Sequence, residues 1–375
     1  MIINLTKPVP RPVLALGGEL KNTVCCACGK TAVISDVLPN LEEKDCFDAY
    51  FKLVKELPKQ FGIIPEIIAY DLHPEYISAK VAMRKDVWPK AKRVGIQHHE
   101  AHIASCAAAE GICENVLGLA FDGTGYGTDG TMWGGELFSG SLEIGFSRVA
   151  AFRRIPLAGG TAAIKEPWRI ALGLAKETGI KNFQKPEEVD AQTWKIVDKM
   201  VELPPAVVSS SLGRLFDGVA ALIGLCFYAR EEAEAAIALE KAAGETKPDK
   251  FYSLPFKKNV TKISDFDKNE KDLWELDWRQ MVKEISEDIS SGIPKEKIAA
   301  AFHDSVAQTV FELCEKLKTE HEFSVILGSG GVFWNKRLTG KLKELFGEGN
   351  FIVSKKAPPS DAGLSIGQAV LAGIN

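Results

Sequence analysis

Three of the chain's six histidines fall within five positions, at His98, His99 and His102. On a helix, His98 and His102 stand one turn apart and project their rings from one face, a spacing with which two imidazoles can hold one metal ion. A solvated polar face is the plain alternative, and spacing alone does not choose between them. Asp122 closes an apolar run and opens Asp122-Gly123-Thr124-Gly125-Tyr126-Gly127. Glycines there let backbone N–H groups approach a phosphate and the carboxylate can hold a cation, although glycine turns between strands are also common structure. Gly328, Gly330 and Gly331 separate a second apolar strand from a helix containing Asn335, a helix start of the kind that favours anions. Asp361, in PPSDAG, opens the last helix, where an aspartate ordinarily serves as a cap. Arg214 and Asp217 interrupt an apolar helix face of Leu215, Phe216, Val219 and Leu222, as an internal ion pair or as a ribose contact. Lys165 and Arg169 flank another helix start, where solvated charge is their ordinary use. The eight cysteines form no regular framework. Cys25-Cys26-Ala27-Cys28 lacks a second cysteine pair or a nearby histidine, so it reads as a strand burying small residues rather than as a zinc site.

These side chains need elements to carry them. PVLALGGELKNTVCCACGKTAVISDV reads as three short strands with turns at Gly17-Gly18 and Gly29-Lys30. Phe47, Tyr50, Phe51, Val54 and Leu57 recur at helical spacing, and EIIAYD is an apolar strand. LHPEYISAKVAMR, KRVGIQ and HHEAHIASCAAAEG continue the alternation of helix and strand, which argues for an α/β lobe with a mixed sheet. VLGLAFDG then echoes the earlier VLALGGEL, as a duplicated lobe would. The second lobe carries KEPWRIALGLAKETG, with Pro167 at a permitted first-turn position, and one long helical run from Ser211 to Ala243. A charged, Lys-rich insertion around 243–272 reads as solvated surface. SVILGSGGVFWNKRL is strand, glycine turn and helix, and the chain closes on a capped helix.

With 375 residues and 46% hydrophobic content the chain can bury the core of two lobes. Its 46 Lys and Arg against 50 Asp and Glu give a net charge of -4, which does not supply the basic surface that nucleic acid would need. No run of about 20 apolar residues is present and MIINLTKPVPRP lacks a signal-peptide core, so no membrane partner and a cytoplasmic location are expected.

Taken in order, LALGGELKNT, AYDLHPEYIS, QHHEAHIAS, AFDGTGYGTDGTMWGGE, KEPWR, GRLFDGVAALIGL, LGSGGVFWN and SDAGLSIGQA closely resemble the C-terminal carbamoyltransferase domain of the HypF hydrogenase-maturation family. That family lies in the ASKHA superfamily, which also holds sugar kinases and the tRNA threonylcarbamoyl-transferases. The resemblance implies a two-lobed, actin- and hexokinase-like α/β fold of duplicated ribonuclease-H-like halves with mixed sheets and an interlobe cleft. Its lobes would span 1–115 and 116–358, with a final helix over 359–375 packing back towards the first. It implies His98, His102, Asp122 and Asp361 as ligands of one iron or zinc ion, with His98, His102, Asp122 and Lys21 at the catalytic centre. Gly123, Gly125, Arg169, Asp217, Gly330, Gly331 and Asn335 would bind an ATP- or AMP-type nucleotide, carbamoyl-adenylate, with magnesium a further candidate. The implied partners are a HypE-like acceptor, whose C-terminal cysteine takes the carbamoyl group, and a YrdC-like protein or domain that makes the adenylate. The chain departs from the family pattern at AVISDVLPNLE, at Thr161 and at YAREEAEAAIALE. A small-molecule O-carbamoyltransferase and a non-catalytic nucleotide-binding scaffold are the other readings.

Overall fold

The computed structural model describes residues 1–374 except 182, 204–206 and 259–272. Much of the Lys-rich insertion, from 259 to 272, therefore lies outside the described residues. The chain runs β1 (Ile2–Ala15), β2 (Leu20–Asn22), β3 (Cys25–Ile34), β4 (Leu38–Asn40), α1 (Lys44–Phe61), β5 (Ile67–Asp71), α2 (Ile77–Ala82), β6 (Lys92–Ile96) and α3 (His98–Glu110). It continues β7 (Val116–Tyr126), β8 (Met132–Ser141), β9 (Gly145–Phe152), β10 (Ile155–Pro156), α4 (Thr161–Lys165), α5 (Pro167–Thr178), α6 (Ala191–Glu202), β11 (Val208–Ser209), α7 (Leu212–Leu222) and α8 (Glu234–Ala243). Last come β12 (Phe256–Lys258), β13 (Trp274–Leu276), α9 (Arg279–Ser290), α10 (Lys295–Leu317), β14 (Val325–Ser329), α11 (Lys336–Phe346), β15 (Phe351–Val353) and α12 (Leu364–Ile374).

Two mixed sheets share one plan, which gives the expected α/β class. In the first, ordered β3-β1-β5-β6, a hairpin's first strand is flanked on its other side by two parallel strands. The second repeats this as β8-β7-β14-β15 and extends it beyond β8 through β9, β13 and β12. The prolines of β1 cannot donate to the ladder, and the β1–β3 pairing shifts register between Asn4 and Val13, where they lie.

Three expectations need correction. Gly29-Lys30 is not a turn: β3 runs through it, and Gly29, at φ 57°, sits where the β1–β3 register slips. Likewise β7 does not stop at Asp122 but continues to Tyr126, with Asp122, Gly123 and Thr124 bulging between the Phe121 and Gly125 pairs. The long run from Ser211 to Ala243 is two helices. It breaks because tertiary contacts outweigh helix propensity: Ala229 N–H donates to Lys165 O at 2.9 Å, Gly224 takes φ 71° and Ala233 takes φ 58°.

Helices α3 and α12 pack together between the sheets, α12 against β1 and β3, α3 against β7 and β14, within one continuous apolar cluster. Their backbones nearly touch. A Cβ built on Gly367 would lie 1.8 Å from Ala101 O, so only glycine admits this approach. At the other end of the contact, the Gln368 amide exchanges two hydrogen bonds with the backbone of Gly17, at 2.9 and 3.2 Å.

Candidate functional site

The α3–α12 contact brings together residues far apart in sequence. Helix α3 begins at His98 because the Gln97 side chain accepts from His99 N–H and Glu100 N–H at 2.7 and 2.9 Å, a sound N-cap. His98 and His102 therefore stand on one face of its first turns. The β7 bulge turns Asp122 towards them, as bulges re-aim side chains. Asp361 opens a short 3-10 turn ahead of α12 and caps nothing. His98 Nε2 lies 3.4 Å from Asp122 Oδ2 and 3.7 Å from Asp361 Oδ1, and His102 Nε2 lies 3.4 Å from each.

These separations are long for hydrogen bonds. They match the edges of a tetrahedron around an ion with ligands at about 2.0–2.1 Å, which are about 3.3–3.4 Å long. Both imidazole Nε2 atoms are buried and have no hydrogen-bond partner among the described residues. The donor set also demands positive charge at its centre. Burial opposes protonation of both rings, yet Asp71, Asp122 and Asp361 hold His98 well above the usual histidine range, and the two carboxylates Asp122 and Asp361 also raise His102. Burial likewise opposes ionisation of Asp122, and the two rings nonetheless drive it well below the carboxylate range. Two histidines and two carboxylates so placed fit a cation of intermediate hardness, zinc or iron, whose binding would displace those protons.

Asp71, which ends β5, was not singled out from sequence. Its Oδ2 accepts from His98 Nδ1–H at 2.7 Å, which fixes the tautomer that leaves Nε2 free, and its Oδ1 accepts from His73 N–H at 2.8 Å. The available signal was an acidic residue ending the apolar strand EIIAYD. His99 takes no part in the cluster: its ring packs against Trp133, and burial and neighbouring His98 keep it neutral.

Beside the four donors lies a cleft of about 460 Å³, lined on its polar side by Tyr76, Asp122, Gly123, Arg214 and Asp361. Phe216, Ala236, Ile237, Val332 and Trp334 form its apolar side. An apolar pocket with a few convergent polar groups suits a nucleotide. The expected nucleotide residues divide. Gly123, Gly331 and Asn335 line the cleft, but Gly331 N–H is committed to Asp122 Oδ1 at 2.9 Å. The Asn335 amide is also spent, accepting from Leu338 N–H at 2.9 Å and donating to His303 Nε2 at 3.0 Å. Gly330 is not among the lining residues, and its N–H donates to Pro359 O at 2.7 Å. Gly125 instead gives room to histidine, since a Cβ there would lie 2.4 Å from the His99 ring.

Arg169 is held by Glu166 at 2.7 Å, away from the cleft lining. Asp217 is buried behind Arg214 in an ion pair of 2.7 Å, so it aims Arg214, whose guanidinium lies beside Gly123, and does not itself line the cleft. Lys21 sits on the rim in a left-handed conformation, φ 48°, paired with Glu232 across the mouth at 2.8 Å.

An α/β protein of two repeated sheets, with a buried His2Asp2 cluster beside a nucleotide-sized cleft, is the class that fold and site define. Residues 8–109 match the family described as HypF Kae1-like domain, and residues 118–368 match Carbamoyltransferase, Kae1-like domain, second subdomain. Carbamoyltransferase HypF of Synechocystis sp. is 32% identical over 98% of this chain and 48% of that protein. A carbamoyltransferase HypF homolog of Cupriavidus necator is also 32% identical, over 96% of this chain and 91% of its own length. Among solved structures, full-length HypF in a phosphate- and nucleotide-bound form superposes with a TM-score of 0.89 at 34% identity, over the whole of this chain and 57% of that one. HypF of T. kodakarensis superposes at 0.85 with 26% identity, over the whole of this chain and 49% of that one. The chain belongs to the HypF Kae1-like carbamoyltransferase domain family. It spans about half the length of most of these relatives. Among the described residues no helix is long and apolar enough to cross a membrane.

Proposed function

We propose that this chain is a carbamoyltransferase that moves the carbamoyl group of carbamoyl-adenylate to a cysteine thiol of a HypE-like protein, in maturation of nickel-iron hydrogenases. Its setting is cytoplasmic, and a YrdC-like protein or domain supplies the adenylate. The lobes are 1–115 and 116–358, and 359–375 closes onto the first. The observation that carries this reading is the pair of unpartnered Nε2 atoms facing two carboxylates on the wall of a nucleotide-sized cleft.

His98, His102, Asp122 and Asp361 would hold iron or zinc, which when bound supplies Lewis acidity to a carbonyl or phosphate oxygen. The chain's own residues do the rest. Arg214, aimed by Asp217, offers the cleft a guanidinium beside Gly123, where the bulge leaves space for a phosphate. Phe216, Ile237 and Val332 give the base an apolar wall. Carbamoyl-adenylate is a mixed anhydride open to hydrolysis, and the Lys21–Glu232 pair spans the mouth through which water would enter.

Elemental analysis and calorimetry with AMP test the reading on the wild type beside His98→Ala and Asp361→Ala. Near-stoichiometric iron or zinc that both variants lose, with weaker AMP binding, is the expected result. A wild type that binds AMP but takes up neither metal would sink it.

A further inference from the structure

Several of the cleft's polar side chains are committed to protein partners: Lys21 to Glu232, Arg214 to Asp217, Asn335 to His303 and its own helix, Asp122 to Gly331. The hydroxyls of Thr124, Ser360 and Tyr76 are not, and of these Tyr76 is the one held by an aromatic stack. It lines the same cleft as Asp122 and Asp361, and its hydroxyl has no hydrogen-bond partner among the described residues. Its ring lies flat on the His73 ring, centroids 4.1 Å apart and planes 6° apart, and His73 meets the edge of Tyr126 at 5.2 Å. The backbone beside it is held as well, by Ile77 N–H donating to Glu19 Oε2 at 2.7 Å.

The placement is tied to the metal cluster. One oxygen of Asp71 holds the His73 backbone and the other holds the His98 ring, so a single carboxylate sets the ring that supports Tyr76 and the ring that offers Nε2. A phenol is a hydrogen-bond donor at neutral pH, and partial burial beside the Asp71, Asp361 and Asp122 carboxylates keeps this one protonated. A phenolic donor held by ring stacking, without a protein partner and lining a cleft where charge develops, has the form of an oxyanion contact.

We propose that the Tyr76 hydroxyl is the donor that holds the carbamoyl oxygen as negative charge builds on it during transfer. This rests on the carbamoyltransferase reading above. The acceptor thiolate forms the S–C bond while the carbonyl π pair moves onto oxygen. Collapse re-forms the C=O bond and breaks the bond from the carbamoyl carbon to the phosphate oxygen, and AMP leaves with that electron pair. The thiol's proton passes to solvent. Tyr76 gives a hydrogen bond throughout and transfers no proton.

Tyr76→Phe removes the hydroxyl and keeps the stack on His73. The test measures affinity for AMP and for the stable sulfamoyl isostere of carbamoyl-adenylate, metal content, and steady-state transfer with acceptor and adenylate-forming enzyme supplied. The variant should keep its metal and AMP affinity, lose about five- to tenfold in isostere affinity, and lose about 10²–10³ in kcat with little change in KM for the acceptor. If the wild type prefers the isostere to AMP and Tyr76→Phe retains that preference and kcat, Tyr76 does not touch the carbamoyl group and the proposal falls. If the wild type binds the isostere no better than AMP, the carbamoyltransferase reading fails and takes the proposal with it.

Discussion

The two sheets repeat one topology, yet the ends of their first strands are used in opposite ways. In the first half β1 runs into Gly17-Gly18, where the backbone groups are closed off and, of the Asn22 amide, only Oδ1 is left without a partner among the described residues. Gln368 holds both backbone groups of Gly17, and Asn22 donates to Leu16 O and Gly18 O at 2.8 and 2.7 Å. In the second half the corresponding strand β7 bulges and presents Asp122 to two imidazole nitrogens that have no partner. Buried polar atoms are mostly satisfied, so two unpartnered nitrogens that face two carboxylates within 4.8 Å form a group that could hold a metal ion. The halves teach that the fold supplies the frame twice and the chemistry once.

The sharpest way to break this contrast is to remove a donor from the open end. Asp122→Ala or His102→Ala should abolish stoichiometric metal, while Gln368→Leu, which touches none of the four donors but loosens the last helix, should lower Tm and reduce the metal-to-protein ratio by far less. Elemental analysis after gel filtration reads the metal, and thermal denaturation reads Tm.

A second contrast lies between histidines. His303 is as buried as His98, but both its nitrogens are satisfied: Nδ1–H donates to Ala299 O at 2.7 Å and Nε2 accepts from Asn335. Burial lowers it from 6.5 to about 4, with nearby Arg337 adding to the shift. Its folded value lies below its unfolded one, so the unfolded chain takes up the proton first. The stability it protects is whole above about pH 6.5 and is lost as pH falls towards 4, about 3 kcal/mol in all. Urea unfolding at pH 7 and pH 5 should show about 2 kcal/mol of this loss in the wild type and a smaller one in His303→Gln. Equal pH dependence in the two would overturn the assignment.

Smaller again is Asp71→Asn, which leaves all four metal donors in place but weakens the orientation of His98. Metal affinity should drop about 10- to 100-fold by competition with a chelator. The smallest effect belongs to the rim. Lys21 and Glu232 are exposed, so Glu232→Gln should change stability by under about 1 kcal/mol in thermal denaturation.

Much of this frame was legible in the sequence. The alternation of apolar strands and amphipathic helices, and histidines four apart on α3, follow from local periodicity, and the likeness of VLALGGEL to VLGLAFDG does correspond to equivalent strands. What was not legible depends on contacts between distant segments. YAREEAEAAIALE favours helix throughout, yet Lys165 and the cleft rim hold its first part out of helix. Glycine in DGTGYG reads as a turn, but its partner β8 keeps the strand going past the bulge. Asp71 carries no spacing signal because its hold on His98 appears only once β5 meets α3, and Tyr76 none because its place in the cleft is likewise set by distant segments. Arg169 could be tied to the nucleotide only by resemblance, whereas Asp217 was open to either a ribose contact or an internal ion pair, and each is occupied by a charge on its own helix or cap.

The Gly367–Ala101 contact ties completion of the site to the seating of the last helix. His98, His102 and Asp122 lie within 25 residues of one another in the chain, whereas Asp361 follows Asp122 by 239 positions. Three donors can gather as soon as α3 meets β7, and the fourth arrives only when α12 docks, a closure over most of the chain's length. Metal retention is therefore a gauge of whether the last helix is seated. In Gly367→Ala the added Cβ would meet Ala101 O, and that chain should load metal poorly with all four of its ligands intact.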